Sequence, residues 1–219
     1  MTSGTSTRAP FLVLLDVDST LIEDEVIELI AEYAGVTREV TEVTERAMAG
    51  ELDFEESLRH RVALLEGVSA ADVAAVVDQV TVTRGVPELI AGVHEAGGYV
   101  AAVSGGFHEI LDELAARLGL DRWRANRFEI LDGKLTGKVS GPIIGREAKC
   151  ETLLEWAEEL SVDLARTVAI GDGANDLGMM SAAGLSVAFD AKPIVREQAH
   201  ISLRERDLSQ VLHVLGLAG

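Results

Sequence analysis

The chain has 219 residues, 47% of them hydrophobic, which is enough for one large domain or for a core with a small insert. Its 37 acidic residues outnumber its 19 basic residues, and the formal net charge of −18 argues against nucleic acid or an anionic membrane as a partner. No apolar run approaches the roughly 18 residues of a transmembrane helix, and residues 1–10 lack the apolar stretch of a signal peptide. The single cysteine, Cys150, excludes an intrachain disulfide, so we expect a cytoplasmic protein.

The first predicted strand leads directly into two acidic residues. Phe11–Leu15 is an apolar run too short for a helix, and Pro10 precedes it, which predicts a buried strand of a parallel sheet. Asp16 and Asp18 follow, and ligands of open α/β sheets bind outside the carboxyl ends of the strands. The two acids are therefore candidate site residues, although Asp also follows strands as an ordinary helix cap.

Four predicted helices follow this strand with no strand between them. They cover about residues 24–34, 38–49, 53–65 and 70–80. This run breaks the alternation of strands and helices in an α/β sheet. We therefore predict a small helical-bundle cap over residues 23–80, inserted into an α/β core formed by residues 1–22 and 81–219. Ordinary helices packed on the sheet are the alternative.

Local signals mark the ends of these predicted helices. Glycine ends helices because it adopts the left-handed conformation easily, and short polar side chains begin them by accepting a backbone N–H. The predicted stops are Gly35, Gly50 and Gly67, and the predicted N-caps are Thr37, Asp53 and Ser69.

From residue 83 onward, strands and helices alternate again. The apolar patterns predict strands over 99–103, 168–170, 185–188 and 200–202. They predict helices over about 87–96, 107–118, 146–160, 174–183 and 207–215. Residues 126–140 alternate about an Asp132-Gly133 turn, which predicts a β-hairpin that serves as a small flap.

Two further polar motifs follow apolar runs. Ser104 and Gly105 come between a predicted strand and a predicted helix, where free N–H groups and the helix dipole bind anions. A plain glycine turn is the alternative. Asp172 and Asp176 lie among glycines after another strand. Clustered carboxylates repel one another without a cation, and oxygen-only ligands indicate Mg²⁺. Two surface acids in a turn are the alternative.

The order of these motifs resembles the haloacid dehalogenase (HAD) superfamily of phosphohydrolases. DVDST from Asp16, SGG from Ser104, Lys149, and GDGAND from Gly171 are most similar to its phosphoserine phosphatase branch. The resemblance implies an α/β fold with a Rossmann-like parallel sheet flanked by helices and an inserted helical cap. It also implies Mg²⁺-dependent hydrolysis of O-phospho-L-serine, the last step of serine biosynthesis, through a phosphorylated Asp16.

The resemblance also assigns roles to individual residues. Asp16 is the expected nucleophile, and Asp18, on the same side of an extended chain, is the expected general acid and base. The side chains of Asp16 and Asp172 and the backbone carbonyl of Asp18 are the expected Mg²⁺ ligands, with Asp176 orienting water or neighbouring ligands. The residues expected to bind the substrate in the core are Ser104, Gly105, Lys149 and Asn175.

The predicted cap carries charges that suit the rest of a phosphorylated amino acid. By the resemblance, Glu25 binds an ammonium group and Arg61 binds a carboxylate, as a bidentate fork. Met48 and Phe54 match apolar residues that close over the substrate. Without the resemblance, Glu25 and Arg61 are ordinary helix-surface charges, and Arg59 competes for the carboxylate.

Several other activities stay open at this point. An enzyme acting on phosphothreonine or phosphohomoserine, or a phosphotransferase to serine or homoserine, would use the same Glu25 and Arg61. A signalling receiver domain also pairs a phosphoacceptor Asp with acids, a hydroxyl and a Lys, but the helical insert and the late acid pair argue against it. Intact Asp16 and Asp18 argue against a non-catalytic binder. We expect a small-molecule substrate, a monomer or homodimer, and no N-terminal regulatory domain, because residues 1–10 leave no room for one.

Overall fold

One mostly parallel sheet forms the centre of the molecule. The structure is a computed structural model, and it describes residues 10–48 and 51–217. Within these residues, seven strands pair in the order β4-β3-β2-β1-β5-β6-β7, all in parallel except the antiparallel pair β3 and β4. The strands are β1 (Leu12–Leu15), β2 (Tyr99–Phe107), β3 (Arg122–Leu131), β4 (Lys134–Ser140), β5 (Thr167–Gly171), β6 (Leu185–Phe189) and β7 (Ile201–Leu203). The predicted α/β fold class is confirmed.

Helices cover both faces of this sheet. They are α1 (Val26–Ala34), α2 (Thr37–Met48), α3 (Phe54–Ala63), α4 (Ala70–Ala75), α5 (Val86–Glu95), α6 (His108–Leu118), α7 (Arg146–Glu159), α8 (Leu177–Ala182), α9 (Pro193–Arg196) and α10 (Gln210–Val214). No helix in the described residues is long and apolar enough to cross a bilayer.

Strand β1 lies at the centre of the sheet because every one of its side chains is apolar. Its four residues are fully buried, and successive side chains point to opposite faces. Val13 and Leu15 join the hydrophobic cluster that includes α1 and α5, whereas Leu12 and Leu14 join the cluster that includes α7. The backbone N–H of Asp16 donates to the Ile170 carbonyl at 2.9 Å, so this acid emerges at the carboxyl end of the central strands.

The helices α1 to α4 follow β1 without an intervening strand, as predicted. The segments that enter and leave them pair with each other, through the bridge between Ile22 and Val82 and the bond from Thr83 N–H to the Leu21 carbonyl at 3.0 Å. The apolar side chains of α1, α3 and α4 pack into the same cluster as one face of the sheet. The division into a cap at 23–80 and a core at 1–22 and 81–219 stays a prediction.

Three of the six predicted helix ends are confirmed, whereas Gly67 lies beyond Leu64, the residue that caps the end of α3. Gly35 ends α1 with φ of 70°, Asp53 accepts from the N–H of Glu56 at 2.8 Å, and Ser69 accepts from the N–H of Asp72 at 3.0 Å. Thr37 is the first residue of α2 rather than its N-cap, so that prediction was wrong. Gly50 lies outside the described residues.

The region from β2 to β4 differs most from the predictions. Strand β2 continues to Phe107 because β3 pairs alongside it, with Phe107 opposite Asn126 after a shift in register. Ser104 and Gly105 therefore lie within the strand, so the predicted strand end at residue 103 was wrong, but the strand does run directly into a helix, α6, which begins at His108. The hairpin is part of the main sheet, since β3 begins at Arg122 and pairs in parallel with β2 before it turns into β4.

Candidate active site

A wide turn, closed by the bond from the Ile22 N–H to the Val17 carbonyl at 3.0 Å, places the first two acids. Residues Val17–Leu21 form this turn, in which Ser19 has a φ of 57°. Asp16 is buried, and its Oδ1 accepts from the N–H of Val17 at 2.7 Å. Among the described residues no donor reaches Asp16 Oδ2. That oxygen is therefore available for chemistry.

The second acid pair comes from the turn after β5. Oδ2 of Asp176 accepts from the N–H groups of Asp172 and Gly173, both at 3.1 Å. A Cβ atom at Gly171 would lie 2.3 Å from the same oxygen, so the carboxylate can fold back onto the turn only because position 171 is glycine. The GDGAND motif is therefore a carboxylate-stabilised turn that presents Asp172 toward Asp16.

Lys149 joins the two acid pairs. It lies on α7, is fully buried, and its Nζ is 2.7 Å from Asp16 Oδ1 and 2.7 Å from Asp176 Oδ1. Burial alone would lower the pKa of Lys149, but the charges of Asp16 and Asp176 outweigh it and raise that pKa. The residue therefore carries a permanent positive charge beside the candidate nucleophile.

The three buried acids together exceed the charge that Lys149 supplies. Asp16, Asp172 and Asp176 each offer an oxygen within 4.8 Å of the others. Burial, then the charge of Asp176, raises the pKa of Asp172 to about 7 and raises that of Asp16 well above its usual value. Excess buried carboxylates fit a hard divalent cation. Both oxygens of Asp176 already accept hydrogen bonds, so Asp16 and Asp172 are better placed to bind an ion.

The side chain of Asp18 makes its hydrogen bonds with α1 and β2. Its Oδ1 accepts from the N–H of Val26, at the start of α1, at 3.1 Å, and its Oδ2 lies 3.5 Å from Ser104 Oγ. Burial raises the pKa of Asp18, and the Val26 N–H opposes that rise. A Cβ at Gly106 would lie 2.8 Å from Asp18 Oδ2, so a larger residue there would have to displace this carboxyl group. A partly buried carboxyl with a raised pKa suits a general acid.

One pocket brings most of the predicted residues together. Phe54 closes it by lying against the backbone of β2, since a Cβ at Gly105 would be 2.6 Å from Phe54 Cζ. Lys149, Asp172 and Ser104 belong to the same region, because each lies next to Asp16 or Asp18. The side chain of Met48 lies outside the described residues. The predicted residues that line the pocket are Asp16, Asp18, Glu25, Phe54, Arg61, Gly105 and Asn175.

The two predicted cap charges are both enclosed here. Arg61 is 5% exposed, and no ion pair within residues 10–48 and 51–217 includes it. Burial lowers the pKa of Arg61, and the nearby negative charges of Glu25 and Asp18 oppose that lowering. Glu25 accepts from Ser19 Oγ at 2.6 Å, and its pKa is raised by burial and then by the charge of Asp18. Arg59 is exposed and pairs with Glu55, so it does not compete for the pocket.

Three polar residues of the site were not predicted. Thr20 Oγ1 lies 3.5 Å from Asp172 Oδ1, and Thr44 accepts from Arg61. Asn126 is buried, donates to the Gly105 carbonyl at 2.8 Å, and accepts from the Ile144 N–H at 2.8 Å. Thr20 is the last residue of the DVDST motif and could have been noticed there, whereas nothing local in the sequence marks Thr44 or Asn126.

A mostly parallel sheet with an aspartate at the end of its central strand, a buried lysine and a second acid pair defines a class of phosphoryl-transferring hydrolase. The sequence model of the haloacid dehalogenase-like hydrolases matches residues 13–181. The chain belongs to this family.

Relatives with assigned activities narrow the comparison. The chain is 53% identical over 215 residues to a phosphoserine phosphatase of Streptomyces coelicolor, covering 98% of this chain and 52% of that protein. It is 48% identical over 208 residues to a phosphoserine phosphatase of Streptococcus thermophilus, covering 95% of this chain and 97% of that protein. The chain thus spans about half of the first relative and nearly all of the second.

Solved structures agree with these relatives. A phospho-aspartyl intermediate analogue of phosphoserine phosphatase superposes with a TM-score of 0.92 at 44% identity, covering 94% of this chain and 99% of that one. A substrate-bound phosphoserine phosphatase complex superposes equally well, with a TM-score of 0.92 at 43% identity over the same shares of the two chains. These comparisons are with enzymes that have the same overall fold.

Proposed function

We propose that this chain hydrolyses O-phospho-L-serine to L-serine and inorganic phosphate. The observation that carries the proposal is the pocket itself, which encloses a buried arginine and a carboxylate, Arg61 and Glu25, beside the acids Asp16 and Asp18. A buried arginine without an ion pair favours an anionic ligand, because an unpaired buried charge is costly. Phosphoserine supplies a carboxylate for Arg61, an ammonium for Glu25 and a phosphate for the sheet end.

The reaction proceeds in two displacements at phosphorus, with Asp16 as the nucleophile of the first and the leaving group of the second. Its carboxylate attacks phosphorus, the bond from phosphorus to the serine oxygen breaks, and Asp18 gives its proton to that oxygen. Water then attacks the phosphorus of the aspartyl phosphate, Asp18 takes a proton from the water, and Asp16 is released as a carboxylate. Lys149, together with Ser104, Gly105 and Asn175, binds the phosphoryl oxygens. The positive charge of Lys149 lies 2.7 Å from the nucleophile and favours its ionised form.

We propose Mg²⁺ as the cofactor of this site. The side chains of Asp16 and Asp172 and the backbone carbonyl of Asp18 would hold it, and Asp176 would keep its structural bonds to the turn. When bound, the ion supplies positive charge that offsets the negative charge of the carboxylates and the phosphoryl group.

The cap residues provide the selectivity for an amino acid. Arg61 binds the carboxylate and Glu25 binds the ammonium, while Phe54 and Met48 cover the substrate. Phosphothreonine and phosphohomoserine have the same carboxylate and ammonium groups. Arg61 and Glu25 therefore select phosphorylated amino acids as a class, and the space around the substrate side chain selects among them. A cytoplasmic location and a monomeric or homodimeric state complete the proposal.

A turnover assay tests this function directly. Phosphate release is measured for O-phospho-L-serine, phosphothreonine, phosphohomoserine and p-nitrophenyl phosphate, with Mg²⁺ and after exhaustive treatment with EDTA. We expect phosphoserine to have the highest kcat/KM and EDTA to remove activity, which added Mg²⁺ restores. Undiminished turnover after chelation would refute the metal role, and preference for another phosphorylated amino acid would reassign the substrate.

The nucleophile is tested by trapping. Beryllofluoride mimics the phosphoryl group of an aspartyl phosphate, and we expect its adduct on Asp16 in the intact protein with Mg²⁺. An adduct on Asp172 or Asp176 would refute the assignment.

A further inference from the structure

Thr44 contacts Arg61 although no sequence motif marked it. It lies on α2, lines the pocket, and is 2% exposed. Its hydroxyl donates to the Val40 carbonyl at 3.0 Å and accepts from Arg61 Nη1 at 3.0 Å. Both contacts have ordinary hydrogen-bond lengths, so the proton of the hydroxyl and one of its lone pairs are engaged inside the protein.

The direction of these two bonds limits what Thr44 can do. A threonine hydroxyl has one proton, and that proton is held by the Val40 carbonyl. The oxygen therefore faces Arg61 as an acceptor only and has no proton to offer a phosphate or a carboxylate. Thr44 is consequently not a ligand of an anionic substrate, even though it lines the pocket.

Arg61 is held from two sides by this arrangement. Its Nε donates to the carbonyl of Ser57, one turn earlier on α3, at 3.3 Å, while Thr44 binds Nη1 from the neighbouring α2. Long arginine side chains have many rotamers, and a guanidinium offers five N–H donors in a rigid fork. With one donor fixed by each helix, the orientation of the fork is set, and its other donors have no hydrogen-bond partner among the described residues.

We propose that Thr44 is a positioning residue for substrate selectivity, which fixes Arg61 so that its free donors face the substrate carboxylate. This inference rests on the proposed function. The hydroxyl is neutral, so it orients the guanidinium without neutralising the charge that a carboxylate requires. A carboxylate at the same position would instead pair with Arg61 and compete with the substrate.

The experiment measures two Thr44 variants and one control on two substrates, together with Arg61→Ala and the Arg61→Ala/Thr44→Val double variant. Thr44→Val removes the hydroxyl at nearly constant shape, and Thr44→Ser keeps it. Thr83→Val is the matched control, because Thr83 is also buried and its Oγ1 has no hydrogen-bond partner among the described residues. The readout is selectivity, the kcat/KM for O-phospho-L-serine divided by that for p-nitrophenyl phosphate, which has no carboxylate.

We expect Thr44→Val to lower the selectivity about 10- to 100-fold, the range for a hydrogen bond to a charged group. The loss should appear in KM for phosphoserine, because the carboxylate is held equally in the ground state and the transition state. Thr44→Ser should restore most of it, and Thr83→Val should keep the wild-type ratio. In an Arg61→Ala background, Thr44→Val should cause no further loss, because its partner is gone.

Three results would overturn the inference, and they separate it from the proposed function. If Arg61→Ala lowers the selectivity but Thr44→Val does not, Thr44 is not a positioning residue and the proposed function stands. If Thr44→Val lowers both substrates equally, its role is packing of the helices. If Arg61→Ala leaves the ratio unchanged, the proposed function fails and the inference fails with it.

Discussion

The two charged regions of this protein differ in how their charges are compensated. At the carboxyl end of the sheet, Lys149 lies 2.7 Å from both Asp16 and Asp176, and backbone N–H groups bind the rest of Asp176. In the pocket that α1, α2 and α3 help to line, Arg61 and Glu25 are held by neutral groups, namely hydroxyls and a carbonyl. The first region therefore already holds a counter-charge and backbone donors and, in the proposed function, needs only a cation to complete it, whereas the second would have its charges paired by the substrate.

This difference separates reaction from selectivity. A group that must stabilise the same phosphoryl transfer in every turnover benefits from preorganisation. A group that discriminates between substrates has to make its best contact with the correct ligand and remain unsatisfied otherwise. Changes at the sheet end should therefore affect every phosphate monoester, and changes in the pocket should affect phosphorylated amino acids alone.

The largest expected effect follows from removing the nucleophile. Asp16→Asn should lower kcat on both O-phospho-L-serine and p-nitrophenyl phosphate by on the order of 10⁴-fold or more, as for other covalent nucleophiles. Because asparagine has nearly the same shape, the circular dichroism spectrum should match that of the wild-type protein. Substantial turnover of either substrate by a folded Asp16→Asn protein would show that another residue is the nucleophile.

Removing Lys149 should affect both activity and stability. Lys149→Ala should reduce kcat/KM for both substrates by about 10³-fold, the scale for loss of one group that stabilises developing charge. It should also lower the free energy of unfolding in urea by about 3–5 kcal/mol, because two buried carboxylates lose their counter-charge.

The surface residue Lys138 provides a control for that experiment. It lies outside the acid cluster, so Lys138→Ala should change neither measurement. If Lys149→Ala lowered kcat/KM for phosphoserine but not for p-nitrophenyl phosphate, Lys149 would contribute to substrate selectivity and not to phosphoryl transfer.

A smaller effect concerns the proton on Glu25. Its pKa is raised by burial, so the carboxyl holds its proton to a higher pH than an ordinary glutamate and binds an ammonium only above that raised value. The ratio of kcat/KM for phosphoserine to that for p-nitrophenyl phosphate should therefore rise with pH through this range. Glu25→Gln should flatten the rise and lower the plateau about tenfold.

The raised pKa of Glu25 also makes the free energy of unfolding depend on pH. Since the folded pKa is above the unfolded one, the stability that Glu25 contributes is fully present below the usual carboxyl pKa and is lost as the pH rises through the raised value. In the substrate-free protein, Glu25→Gln should reduce this loss in thermal melts over that pH range. An unchanged pH dependence of both selectivity and melting would contradict the assignment of Glu25.

The sequence predicted the centre of this fold well and its edge less well. Buried strands such as β1 and β5 are apolar throughout, so their pattern depends little on neighbours. The start of β3 is different, because Arg122 and Arg124 suggest a polar loop. In the structure Arg124 binds Glu155 on α7 at 2.8 and 2.9 Å and lies over the Trp156 ring. The charge of Arg124, which argues against a strand in the local sequence pattern, is therefore paired by a residue distant in the chain.

The same reasoning applies to the site. Acids, glycines and the lysine could be recognised because their chemistry is unusual at those spacings. Thr44 and Asn126 act only through what they touch, and their partners are distant in the chain. Residues whose role is to orient another side chain have no signature in a single sequence.

The most direct test of the division between the two regions is Arg61→Ala measured on two substrates. The pocket should lose the carboxylate contact and the sheet end should be unaffected, so kcat/KM for O-phospho-L-serine should fall by roughly 10²- to 10³-fold, from about 2–5 kcal/mol for a buried charged partner. The value for p-nitrophenyl phosphate should change by less than about threefold. Arg59→Ala, an exposed position on the same helix, should leave both unchanged. An equal loss for the two substrates in Arg61→Ala would contradict the account, because Arg61 would then serve the reaction or the fold and not the choice of substrate.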